Sequence, residues 1–407
     1  MIGDQCSVIR KNRECCVLRT ARFVCVKPVA HAKRAVRSIL LLVVLLVACA
    51  PARPATSVAP TPTSWPRVRL ASPEYGLQAF LYWHWEAADR DIELIKDMGF
   101  TWVKQSVAWR DIEGVQKGAY DWYDTDRMVK AVRRAKLNLL VRLDHQPFWS
   151  QAPDTDPLEN APPENLQDFV DFCRVVAERY KGKIRAYQVW NEPNLAREWG
   201  NQPPDPVRYA EMLKRCYIAI KTADPQALVV SAGMAPTGTS SAEVVPDDGF
   251  IEKMYLAGAA PYFDLLGVHA SGFKEPPETS PDEAAKKYSG NRFFCFRHVE
   301  DIRKIMERHG DKGKQIALLE FGWTVDAVNP AYSWHAVTEE QQADYLVRAY
   351  QYAKKNWSPW IGPMMALSMA NFFYTPEDEQ YWWAITYPDF PETRVRPAYN
   401  ALKQMPK

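Results

Sequence analysis

Two glutamates in this chain each stand directly behind an apolar run. Glu192 lies in Trp190-Asn191-Glu192-Pro193-Asn194, and Glu320 opens Glu320-Phe321-Gly322-Trp323 after Ala317-Leu318-Leu319. A carboxyl group in that position is half withdrawn from water, which shifts its pKa and suits it to proton transfer or attack. Alone, either would read as a solvated loop residue or a helix-cap partner. As a converging pair they can divide the work of cleaving an acetal: one protonates the leaving oxygen while the other stabilises or attacks the anomeric carbon. At about 5–5.5 Å apart the second acts as nucleophile and configuration is retained.

Such convergence must come from the fold. Short apolar runs alternate with amphipathic helices, the pattern of parallel βαβ units. The candidate strands are Gly76–Tyr82, Thr101–Ser106, Leu137–Leu143, Ile184–Trp190, Ala227–Ala232, Phe263–His269, Gln315–Glu320 and Pro363–Ala370. Eight such runs predict an α/β fold, a (β/α)8 TIM barrel, as a single catalytic domain over residues 74–407. Helix signals agree. Phe169, Phe172, Cys173, Val176, Ala177 and Tyr180 mark one buried stripe, with Gly182 as its C′ stop. Asp205-Pro206 reads as a cap followed by proline at N1, and Thr338 to Gln341 as a capping box. In a barrel of this kind the site lies where strands end. Glu192 closes strand four and Glu320 closes strand seven, across the mouth from one another. The polar stretch Lys274 to Lys287 reads as a functional or disordered loop.

Ahead of the barrel the composition changes. Residues 1–49 hold a surplus of seven positive charges, so the rest of this chain of net charge +2 carries about −5. A mildly acidic body gives no electrostatic reason to expect nucleic acid as a partner. Lys33, Arg34 and Arg37 lead into an apolar stretch of 12 residues, Ile39 to Ala50, which fits the core of an export signal better than a membrane span. Leu46-Val47-Ala48-Cys49 resembles a bacterial lipobox. Residues 1–49 are therefore expected to be a signal segment with lipidation at Cys49. Residues 50–73 are expected to be a Pro/Thr/Ala-rich linker, giving an exported, cell-surface protein that meets the membrane only through its lipid anchor. The first 30 or so residues are long for a signal and suggest an over-extended reading frame. Cys173, Cys216 and Cys295 read as buried free thiols, and no zinc-type Cys/His spacing occurs, so neither metal nor cofactor is expected.

Trp-Asn-Glu-Pro at the end of strand four with Glu at the end of strand seven resembles glycoside hydrolase clan A, and within it families 39 and 5. The resemblance spans the folded body, from about Tyr75 to Met405. It implies a retaining β-glycoside hydrolase acting on a β-linked polysaccharide or oligosaccharide, with Glu192 as acid/base, Glu320 as nucleophile and Asn191 assisting. Lys104 stands where many clan members carry an arginine that braces the nucleophile, though lysine lacks the bidentate fork. His145 and His269 match histidines that contact sugar hydroxyls or orient the carboxylates. Ser271 stands where an aromatic partner of the nucleophile is common. Trp149, Trp323, Trp382 and Trp383, among the 15 tryptophans, are candidates for stacking on sugar rings. A transglycosylase would use the same residues, and an inactive carbohydrate-binding lipoprotein would need neither glutamate. A solute-binding transporter component would instead show two hinged lobes.

Overall fold

The computed structural model describes residues 65, 68–152 and 160–407. Eight parallel strands form a closed barrel: β1 Glu74–Gln78, β2 Trp102–Ala108, β3 Asn138–Asp144, β4 Ala186–Val189, β5 Leu228–Val230, β6 Leu265–Ser271, β7 Gln315–Gly322 and β8 Ile361–Ala366. β8 closes on β1 with Glu74 opposite Pro363. Every strand overlaps its predicted run, β1 and β8 each beginning two residues early and ending four residues early, and one ring of eight rules out the two-lobed alternative. The runs are continuous because strands covered by helices outside and packed inside have no solvated face to alternate toward.

The helices form as their spacing dictates. Leu166–Arg179 buries Phe169, Phe172, Cys173, Val176 and Ala177. Its left-handed exit falls at Gly182 (φ 66°), two residues past the cap Tyr180 and so one later than expected. The Asp205 carboxylate accepts from the amides of Val207 and Arg208, and Thr338 and Gln341 close the capping box. The segment after β6 is better ordered than its polarity suggests. It contains a helix, Pro281–Lys287, with its own capping box at Ser280, and Glu275 ties it down by pairing with Lys287 at 2.5 Å. Cys173, Cys216 and Cys295 are buried and free.

The barrel interior has two layers. Toward the amino ends of the strands, Trp102, Leu140, Ala186, Leu228, Val230, Leu265, Ala317, Leu319 and Met365 fill it with apolar side chains. Val68 and Leu70 pack against that cluster from below, and Leu70 exchanges hydrogen bonds with the Gln315 side chain at 2.9 and 3.1 Å. The last residues of the expected linker, 68–73, therefore belong to the folded body, because the barrel floor needs an apolar plug. The signal segment, Cys49 and the rest of the linker lie outside the described residues, Trp65 excepted. No helix among the described residues is long and apolar enough to cross a membrane.

Candidate active site

Above the apolar layer the inward positions turn polar. Strand period two places Lys104 and Ser106 of β2, Arg142 and Asp144 of β3, Gln188 of β4 and His269 of β6 inside the barrel. β7 needs an irregularity to join them. Its pairing runs Val268 with Leu318 but His269 with Glu320, a shift of one residue. That bulge turns Glu320 inward immediately after Leu319 has already pointed into the apolar layer.

β4 delivers Glu192 by a backbone kink. Trp190 and Glu192 have φ of 70° and 38°, a left-handed conformation that costs a non-glycine residue on the order of 1–3 kcal/mol. The kink is held from several sides. Trp190 is fully buried and donates from its indole to the Glu198 carbonyl at 2.8 Å, while the Glu192 amide donates to the Gly233 carbonyl at 3.0 Å. Gly233 is required for a second reason: a Cβ there would lie 2.1 Å from the His269 ring.

The two carboxylates meet around that ring. His269 Nδ1 lies 2.9 Å from Glu192 Oε1 and 3.9 Å from Glu320 Oε2, and one oxygen of each glutamate and a ring nitrogen all fall within 4.8 Å of one another. Glu320 is held between cations, with Lys104 Nζ at 2.6 Å and Arg142 Nη1 at 3.5 Å from Oε1. Lys104 also donates to the Leu319 carbonyl at 3.2 Å. Arg142 is anchored by Asp144 at 2.7 Å, and buried Asp144 also accepts the Ser106 hydroxyl at 3.1 Å and lies 2.7 Å from His145 Nδ1. Arg197 approaches the outer Glu192 oxygen at 3.4 Å.

Electrostatics separate the pair. Burial resists ionisation of Glu320, but Lys104, His269 and Arg142 together bring its pKa down to about 2. Burial also lowers the Lys104 ammonium, to about 8, against the pull of Glu320. For Glu192, burial is outweighed by the His269 hydrogen bond and by Arg197, so its pKa lies below the usual value, while the charge on Glu320 pushes it up. Burial raises the nearby acids Glu198 and Glu379.

Glu192, His269 and Glu320 also have donor types and spacing that suit a cation. A metal ion there would face the Lys104 ammonium already 2.6 Å from Glu320, an arrangement that charge repulsion opposes.

Of the residues singled out from the sequence, Glu192, Glu320, Asn191, Lys104 and His269 come together. Asn191 is buried beside Glu192, with its carbonyl oxygen 3.5 Å from the Gln188 amide. Lys104 is not placed to bind substrate: its ammonium is buried and spent on Glu320 and a backbone carbonyl. His145 stands at the flank, on Asp144. The tryptophan expectations change most. Trp323 is fully buried and donates to the Glu275 carbonyl at 2.8 Å, leaving no ring face for a sugar. Trp383 is buried and bonded to Glu379 at 3.1 Å, half-buried Trp382 is bonded to the Pro376 carbonyl at 2.9 Å, and Trp149 packs edge-on against Trp109. Exposed aromatic rings after the strands include instead Trp83 and Trp85 after β1, Phe148 after β3, Trp334 after β7 and Phe372 and Phe373 after β8. Arg142 and Asp144 are absent from the sequence reading. Their signal was a charge, Arg142, inside the apolar run Leu139–Leu143 and a second, Asp144, two residues on, on a strand that must be buried.

No family model matches the sequence. Solved structures do resemble the chain. A family 39 glycoside hydrolase from Bacteroides cellulosilyticus WH2 superposes with a TM-score of 0.61 at 20% identity, over 82% of this chain and 63% of that one. This chain thus spans less than two thirds of that protein's length. A glucosidase from Croceicoccus marinus matches with a TM-score of 0.59 at 12% identity, over 84% and 68% of the two chains. An endo-β-1,4-glucanase from Xanthomonas axonopodis pv. citri gives 0.55 at 13% identity, over 83% and 99%. The likeness is one of fold.

Proposed function

We propose that the protein is a retaining β-glycoside hydrolase acting on a β-linked polysaccharide or oligosaccharide by double displacement. The observation that carries the reading is the pairing of Glu192 and Glu320 within 4.8 Å, one of them clamped between two cations. That spacing suits direct attack and leaves too little room for the water an inverting enzyme places between carboxylates about 6.5–9.5 Å apart. Two of the similar folds are named a glucosidase and an endo-β-1,4-glucanase.

Glu320, ionised, attacks the anomeric carbon as Glu192 gives its proton to the departing oxygen. Forming the ester removes the negative charge of Glu320, which is the charge that raises Glu192. With that charge gone the Glu192 pKa falls, so Glu192 stays ionised in the intermediate and takes a proton from a water that attacks the anomeric carbon, breaking the bond to Glu320 and releasing the sugar. His269, bonded to Glu192 and close to Glu320, positions both groups, and Asn191 stands ready for the sugar 2-hydroxyl. The same proposal places the protein at the cell surface on a lipidated Cys49.

Incubation with a panel of aryl β-glycosides and a mechanism-based 2-fluoroglycoside tests the reading. The expected results are aryl release that Glu320→Ala abolishes and a covalent glycosyl adduct mapped to Glu320. Absence of both on every sugar would favour a binding protein. Transfer to added sugar in preference to water would make it a transglycosylase.

A further inference from the structure

At the barrel end away from the carboxylates lies a group of charges that the proposed chemistry does not use. Two adjoining surface grooves share Arg133 and Lys183, and seven lysines and arginines line them against two acids, Asp126 and Asp224. Both acids are engaged. Asp126 pairs with Arg179 at 2.5 Å, and Asp224 accepts the Gly182 and Gln226 amides at 2.8 and 3.2 Å. Arg134 pairs with Asp89 at 2.8 Å. Lys130, Arg133, Lys136 and Lys183 remain exposed, with no acidic partner within ion-pair distance among the described residues. This positive face interrupts a body that carries about −5 overall.

Its place in the fold adds direction. Lys136 comes just before β3 and Lys183 just before β4, so both sit at the amino ends of the strands. Val68 and Leu70 cross the barrel floor at the same end, so the chain from the amino-terminal side joins the body there. The carboxylates open at the opposite end. The stretch between Cys49 and Trp65 can reach on the order of 50 Å when extended, ample for contact between this face and whatever surface holds the amino-terminal segment.

We propose that this basic face rests on a surface of anionic phospholipid headgroups, with the carboxylate-bearing mouth turned outward. Exposed lysines on long stems, spread over two open grooves, match a diffuse field of phosphates better than a single anion of fixed shape. The attraction acts within a Debye length and so weakens with salt. The inference is independent of the hydrolase reading.

Vesicle co-sedimentation of the full chain tests it, using phosphatidylcholine alone and phosphatidylcholine with about 30% phosphatidylglycerol. The basic amino-terminal segment is common to every variant and cancels in the comparison. Reversing Lys136→Glu with Lys183→Glu should lower partition onto the anionic vesicles about tenfold or more at low salt. Lys274→Glu with Lys286→Glu, the same charge change at the mouth end, should leave it within about twofold, and melting temperatures report folding for both. Equal loss in the two double variants would overturn the proposal. So would equal binding to neutral vesicles, or retention of an anionic polysaccharide by the patch in preference to lipid.

Discussion

Glu192 and Glu320 occupy opposite strands of one barrel mouth, yet their surroundings differ in kind. Glu320 sits in a fixed field: the buried Lys104 ammonium at 2.6 Å, Arg142 at 3.5 Å, and Asp144 behind Arg142 to hold it. Glu192 meets one ring nitrogen of His269 at 2.9 Å, and an arginine whose side chain is 58% exposed and therefore screened. A carboxylate between two cations is held firmly in its ionised form, whereas Glu192, whose charged neighbour is screened and which the charge on Glu320 pushes up, is held less firmly. Groups of one chemical type acquire different roles when their environments push their proton affinities apart.

The contrast can be broken at several points, the largest effect first. Glu320→Gln should lower turnover at least about ten-thousandfold on every substrate, because no other group can form the intermediate. A residual rate above about one per cent by steady-state kinetics would remove the nucleophile from that position. Glu192→Gln should cost about a hundred- to ten-thousandfold on substrates with poor leaving groups and far less on nitrophenyl glycosides, which need no proton. A uniform loss across leaving groups would contradict its role as the acid.

Lys104→Met sharpens the field argument. Glu320 is active when ionised, and Lys104 is the strongest of the influences lowering its pKa to about 2, so the variant's acid limb should move to higher pH. Burial brings the Lys104 pKa down to about 8, so Lys104→Arg should carry activity further into the alkaline range. A pH–rate profile unchanged by both substitutions would show that Lys104 only fills space. The smallest effect is expected at Trp323. Trp323→Phe leaves the buried Glu275 carbonyl unpaired and should cost about 1–3 kcal/mol of stability in denaturant unfolding, with KM unaltered. A raised KM at full stability would return Trp323 to the substrate site.

Some of this was legible from the chain alone. The eight runs, the caps at Asp205 and Thr338 and the position of both glutamates are local signals, since period, turn chemistry and apolar run length act over a few residues. The tryptophans were not legible in the same way. Trp323 and Trp334 both follow strand seven, and nothing in the intervening residues says that one ring packs behind Gly272 while the other faces water at 48% exposure. Arg142 was not legible because it lies within the strand, not at its end, and only closure of the barrel shows that its side chain points inward with Leu140.

By itself, the sequence determined the alternation that closes a barrel and the presence of a carboxylate at the ends of strands four and seven. Tertiary structure alone decided that those carboxylates converge on His269, that a one-residue bulge in β7 turns Glu320 inward, and that Lys104 and Arg142 surround it. The reason is physical: periodicity and capping are set by neighbours along the chain, while a pKa is set by charges a few ångströms away in space, contributed here by strands far apart in sequence.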